Sequence, residues 1–142
     1  MDQQELYDIA LWFRKAIQKV KSDRGFYNIK DRMNYFPRGC CDDSSDLFGY
    51  YLLHEHHIFS EQGNGYRRKE DVYHAFTILP DDAIVDLTAD QFQFFSDCSN
   101  GVYVGPQNSF HRSLKRMRKE NHCDITINDR LWHAYQAIIK YL

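Results

Sequence analysis

The chain has 142 residues, 43% hydrophobic and 15% aromatic, which supplies enough apolar material for one packed core and excludes a disordered polypeptide. Its 18 basic residues face 20 acidic ones, a near balance that gives no general attraction to nucleic acid or to an anionic membrane surface. No run approaches the roughly 20 apolar residues that span a bilayer.

The start, Met1-Asp2-Gln3-Gln4-Glu5, is acidic and polar and lacks the basic-then-apolar layout of a secretory leader. A cytoplasmic protein is expected, with export as an effector lacking a standard leader as the alternative. The cysteines Cys40, Cys41, Cys98 and Cys123 are accordingly read as free thiols. Leu6, Ile9, Ala10, Phe13, Ile17 and Val20 recur at helical spacing, so residues 3–22 are expected to form an amphipathic helix. Asp2 with Glu5 resembles a capping pair at its start.

Residues 23–38 read as an irregular approach, because Pro37 disfavours helix at Phe36. A second helix is expected from Cys41 to His57, with Leu47, Tyr50, Tyr51 and Leu53 on or near its buried side. Asp42, Asp43 and Asp46 suit the positive end of its dipole. Gly63-Asn64-Gly65 signals a turn within 60–68. Strands follow at 71–79, 83–88 and 101–105, then helices near 109–120 and 128–141, with Asn128 as a cap for the last. With no repeat or linker, residues 1–142 form one α+β domain.

Three blocks carry chemistry. Cys41 begins a helix, His74 lies on a strand, and Asp86 lies on the next strand beyond the turn at Pro80-Asp81-Asp82. A thiol is nucleophilic only as thiolate, which unpaired N–H groups at a helix start and a neighbouring imidazole both favour. A carboxylate on the other ring nitrogen would fix the tautomer. Backbone N–H groups at the helix start, that of Cys41 included, are natural oxyanion donors. Cys40 is the rival nucleophile and Asp90 the rival acid, while Gln91 or Asn34 could add a side-chain oxyanion donor.

Gly39-Cys40-Cys41-Asp42-Asp43-Ser44-Ser45-Asp46-Leu47 resembles the Gly-x-Cys-x-Asp-x-Ala-x-Leu motif of transglutaminase-like, papain-related thiol enzymes, with Ser45 in the small-residue slot. His74-Ala75-Phe76 is similar to their His-Ala-Trp, and Asp86-Leu87-Thr88 to their Asp-Pro-Thr. The resemblance covers residues 39–92. It implies a papain/transglutaminase-like core in which the helix bearing Cys41 packs on a small antiparallel sheet bearing His74 and Asp86. It also implies Cys41 as nucleophile, His74 as base, Asp86 as orienting acid, and a thioester intermediate. Phe76 and Leu87 depart from the pattern, and the short chain speaks against protein crosslinking. A peptidase, amidase or protein deamidase acting on a peptide or protein, with no metal or organic cofactor, is the implied activity.

The competing reading from another class is a catalytically silent domain of the same fold that binds a partner protein. His54 and His57 stand one helical turn apart, but the run lacks the spacing of zinc hydrolases and reads as a solvated helix end. Cys123 beside His122 is too isolated for a zinc site. The basic stretch 111–119 reads as the outer face of a packed helix, with nucleic-acid contact a lesser alternative. Oligomeric state and substrate identity have no signal in the chain.

Overall fold

Leu6, Ala10, Phe13, Ile17 and Val20 turn one face of α1 (Gln3–Ser22) into the core, as their spacing predicts. In the computed structural model, which describes residues 1–92 and 100–142, the expected capping box is complete. Asp2 accepts from the Glu5 N–H at 2.8 Å, and Glu5 accepts from the Asp2 N–H at 3.0 Å. The approach to the second long helix contains a short α2 (Gly25–Asn28) and a 3-10 turn at Arg32–Tyr35.

Helix α3 (Cys41–His56) begins at Cys41 and ends where His57 takes a left-handed conformation. It buries Leu47, Phe48 and Leu52, while Tyr50 and Tyr51 lie half-buried against the same core. Leu53, expected near the buried side, is instead 46% exposed. The helix packs on a five-stranded antiparallel sheet in the order β4-β3-β2-β1-β5. The strands are β1 (Glu61–Arg67), β2 (Val72–Ile78), β3 (Ile84–Asp86), β4 (Tyr103–Gly105) and β5 (Lys115–Glu120). Short α4 (Ser109–Ser113) precedes β5, and α5 (Asp129–Ile139) closes the described fold. Asn128 caps α5 by accepting from the Leu131 N–H at 3.1 Å.

Two further expectations are corrected. Gly63-Asn64-Gly65 lies inside β1, not in a turn. A side chain at Gly63 would strike Phe76 and Ile78, and one at Gly65 would strike Leu114 and Met117, so the glycines let neighbours cross the strand closely. The helix expected at 109–120 stops at Ser113, and β5 replaces its second half. Pairing with β1 satisfies backbone groups that an isolated turn of charged helix would leave to water, so the open sheet edge overrides the local pattern. Its exposed Lys and Arg side chains suit an edge strand, which charges protect from pairing with another chain.

Alternation along β2 sorts residues to two faces. Thr77 meets α3, where its hydroxyl lies 3.0 Å from that of Ser45. His74 and Phe76 point the other way, into a smaller apolar layer containing Ile84, Phe92, Phe110 and Leu114. The larger core lies on the helix side, with Phe13 and Phe48 in contact at 5.2 Å between ring centroids. Among the described residues no helix is long and apolar enough to cross a membrane.

Phe48 is fully buried in that larger core, so Phe48→Ala is expected to cost about 3–5 kcal/mol. Urea denaturation checks this. A loss below about 1 kcal/mol would mean that α3 is not held by this layer.

Candidate active site

The position of Cys41 is set by what grips the first turn of α3. Asp43 is buried and receives two guanidinium groups. Arg32 donates from Nε at 2.7 Å and from Nη2 at 2.8 Å. Arg130 of α5 donates from Nη1 at 3.0 Å and from Nη2 at 2.8 Å, and also reaches Asp31. Burial works to raise the Asp43 pKa, but these hydrogen bonds and charges win and hold it below the usual carboxylate value. The small hydroxyls of Ser44 and Ser45 complete the seat. Ser44 donates back to the Cys40 carbonyl at 2.7 Å, and Ser45 fits against β2.

The two adjacent cysteines have different fates. Cys40 is buried, and its thiol points at the carbonyls of Arg38 and Arg32 at 3.2 and 3.5 Å. Burial, then the Asp43 charge, push its pKa up to about 12, which keeps it a thiol. Cys41 is partly open to solvent. Its sulfur lies 3.9 Å from the Tyr73 carbonyl, one residue before His74.

His74 and Asp86 meet inside the smaller apolar layer. Strands β2 and β3 pair Thr77 with Val85 and Ile78 with Ile84, and continuing that register places Asp86 opposite Phe76. His74 is then its diagonal neighbour on the same face, within side-chain reach. The His74 Nε2 lies 2.6 Å from the Asp86 Oδ2, and both side chains are wholly buried. A carboxylate only accepts, so Nε2 carries the proton and Nδ1 is the nitrogen left for another partner. That Nδ1 is buried with no well-formed hydrogen bond, while the neighbouring Cys41 sulfur adds to the affinity of the ring for a proton. Burial opposes a charged ring here, but Asp86 and then Cys41 outweigh it and raise the His74 pKa to about 10.

Asp86 serves more than one donor. Its Oδ2 also lies 3.2 Å from the Nε2 of His111, and its Oδ1 accepts from the Thr88 N–H at 3.1 Å. Burial would raise its pKa, but the charge of His74 and the hydrogen bonds from His111 and His74 hold it far below the usual carboxylate range. The rings of Phe92 and Phe110 stand edge-on to His74 at 5.0 and 5.6 Å, and Phe76 lies at 6.1 Å, walling the pair from water.

The rivals Asp90 and Gln91 have other partners. Asp90 is held by Arg14 at 2.8 and 2.9 Å, and Arg14 also donates to the carbonyls of Leu87 and Gly101. Gln91 donates from Nε2 to the Pro37 carbonyl at 2.7 Å, tying the turn after β3 to the loop before Cys41. Asn34 lines the same cavity of about 540 Å3 as Gln91, Pro37 and Arg38. His54 stacks on Tyr50 at 4.0 Å between centroids. Cys98 lies outside the described residues.

In the sequence, His111 reads as part of a basic stretch. Its available signal was Asn108, whose side chain accepts from the His111 N–H at 3.0 Å and starts a new short helix there. Comparison with family models, curated proteins and solved structures gives no match to any of them.

The pH dependence of stability follows from these shifts. Folding raises the His74 pKa, so its contribution is fully present below pH 6.5 and is lost as pH rises through about 10. Folding lowers the Asp86 pKa, so its contribution is present above pH 3.8 and is lost as pH falls below that. The unfolding free energy of the wild type should therefore decline from pH 6.5 toward 10, and His74→Gln should flatten the decline. Urea melts across that range provide the check, and parallel curves for the two proteins would contradict it.

Proposed function

We propose that this protein is a cysteine-dependent acyl-transfer enzyme with a papain/transglutaminase-like core. Cys41 acts as nucleophile, His74 as base and then acid, and Asp86 as the orienting carboxylate. One observation carries the reading: His74 is fixed through Nε2 by a buried carboxylate, and its affinity for a proton is raised in part by Cys41, a thiol at a helix start that is partly open to solvent. The division of labour between Cys40 and Cys41 supports the same choice of nucleophile, because only Cys41 can meet a substrate.

In this reaction the Cys41 thiol proton is held on His74 Nδ1, and the sulfur attacks an amide carbonyl carbon. A rotation of the Cys41 side chain from the Tyr73 carbonyl toward Nδ1 aligns the pair, since such contacts often tighten only around substrate. As the first residue of α3, Cys41 has an N–H with no partner inside the helix, and it can donate to the developing oxyanion. His74 then gives its proton to the departing nitrogen, which leaves as ammonia or an amine, and the acyl group stays on sulfur as a thioester. Water, deprotonated at His74 Nδ1, attacks the thioester and releases the carboxylic acid and the thiol. Asp86 keeps the ring in place and stabilises its charged form throughout. The substrate class is a peptide or a protein side-chain amide, and water is the expected acceptor.

Iodoacetamide or an amide-mimicking electrophile at pH 6–7, followed by intact-mass analysis, tests the assignment. A single adduct on Cys41 is expected, lost in Cys41→Ser, retained in Cys40→Ser and slowed at least about tenfold in Asp86→Asn. Labelling confined to Cys123 or Cys98 in the folded protein would overturn it, and a silent binding module would give that result.

A further inference from the structure

A second hydrogen-bonded relay lies along α3 from Cys41, and the proposed thiol chemistry does not use it. Asp46 projects from the helix, Ser60 immediately precedes β1, and His122 follows β5. The His122 Nδ1 lies 2.8 Å from the Asp46 Oδ1, and its Nε2 lies 3.0 Å from the Ser60 Oγ. Because the carboxylate only accepts, Nδ1 carries the proton, and the Nε2 of the neutral ring accepts from the Ser60 hydroxyl. Gln62 donates to the same oxygen, the Asp46 Oδ1, at 2.9 Å, so that atom holds two donors.

The relay is built into the packing. A side chain at Gly49 would come within 2.3 Å of the His122 ring, so the bare helix surface there is the seat of the imidazole. All three relay residues line one cavity of about 480 Å3, within the size range of small-ligand sites. Leu53 and Phe59, both large, apolar and about half exposed, form part of its wall. Serine, imidazole and carboxylate in this order, at a cavity with an apolar wall, form the arrangement that makes a serine hydroxyl nucleophilic.

We propose that Ser60, His122 and Asp46 form a second nucleophilic site, independent of Cys41, that takes acyl groups from small carboxylic esters with an apolar acyl part. The Ser60 Oγ bonds to the acyl carbon while its proton moves to His122 Nε2. The C–O bond of the ester breaks, and the leaving alkoxide takes that proton as an alcohol. Water then attacks the acyl-serine and passes a proton through His122 back to the Ser60 Oγ, releasing the acid.

The test uses full-length protein carrying Cys41→Ala, so that the thiol cannot contribute. A small alkyl fluorophosphonate replaces the ester: the Oγ–P bond forms, the P–F bond breaks, and the proton leaves with fluoride. Peptide mapping should place one phosphonyl group on Ser60 of the folded protein and none after urea denaturation. His122→Gln should slow labelling at least about hundredfold. Gly49→Ala, which favours the helix while displacing the His122 ring, should do the same if His122→Gln fails to fold. No adduct on Ser60 in the folded protein, or equal labelling in the folded and denatured states, would overturn the proposal. So would an unchanged rate in a folded His122→Gln or Gly49→Ala protein.

Discussion

The carboxylate of Asp86, fully buried between two histidines and the Thr88 N–H, is the constraint around which the candidate active site is arranged. An isolated buried anion is costly, and the structure offsets that cost with three donors and the charge of His74. The same contacts fix the His74 ring and its tautomer, and they raise its affinity for a proton. Phe76, Phe92 and Phe110 keep water from competing, which strengthens each of these interactions. Removing the carboxylate would therefore release both histidines at once.

A second constraint brings the thiol to that ring. The helix bearing Cys41 is pinned at its start by Asp43 between Arg32 and Arg130, and along its length by Ser45 against Thr77 and by Leu47 and Phe48 in the core. The loop before Cys41 is joined through the Pro37 carbonyl to Gln91, and the segment after Asp86 is held in turn by Arg14 of α1. These contacts cross between elements distant in sequence, so the placement of the helix start that carries Cys41 is a property of the whole fold. Cys40, one residue away, receives the opposite environment and serves as packing. A shift of one residue at a helix start thus separates a buried thiol from an accessible one.

Much of this was legible in the chain. Asp2 and Glu5 announced α1, the glycine-cysteine block announced α3, and the Pro80-Asp81-Asp82 turn separated the strands that carry His74 and Asp86. These are local signals: caps, periodicity and turn residues act within a few positions. What escaped was decided by partners far along the chain. β5 exists because β1 offers a free edge, which no periodicity in Lys115–Glu120 reveals, since all six residues are exposed. His111 and His122 flank that strand and looked like ordinary polar residues. Only after β5 is placed do they fall beside Asp86 and Asp46, 25 and 76 positions away.

The protonation state of the His74 imidazole tests the central claim most directly. A pH titration of histidine ring 15N resonances, assigned with His74→Gln and His111→Gln, reads it at atomic level. His74 is expected to keep its Nε2–H and to remain protonated well above its ordinary pKa of 6.5, and Asp86→Asn is expected to bring its titration back toward that value. A ring that titrates near 6.5 in the wild type, or that carries no proton on Nε2, would contradict it.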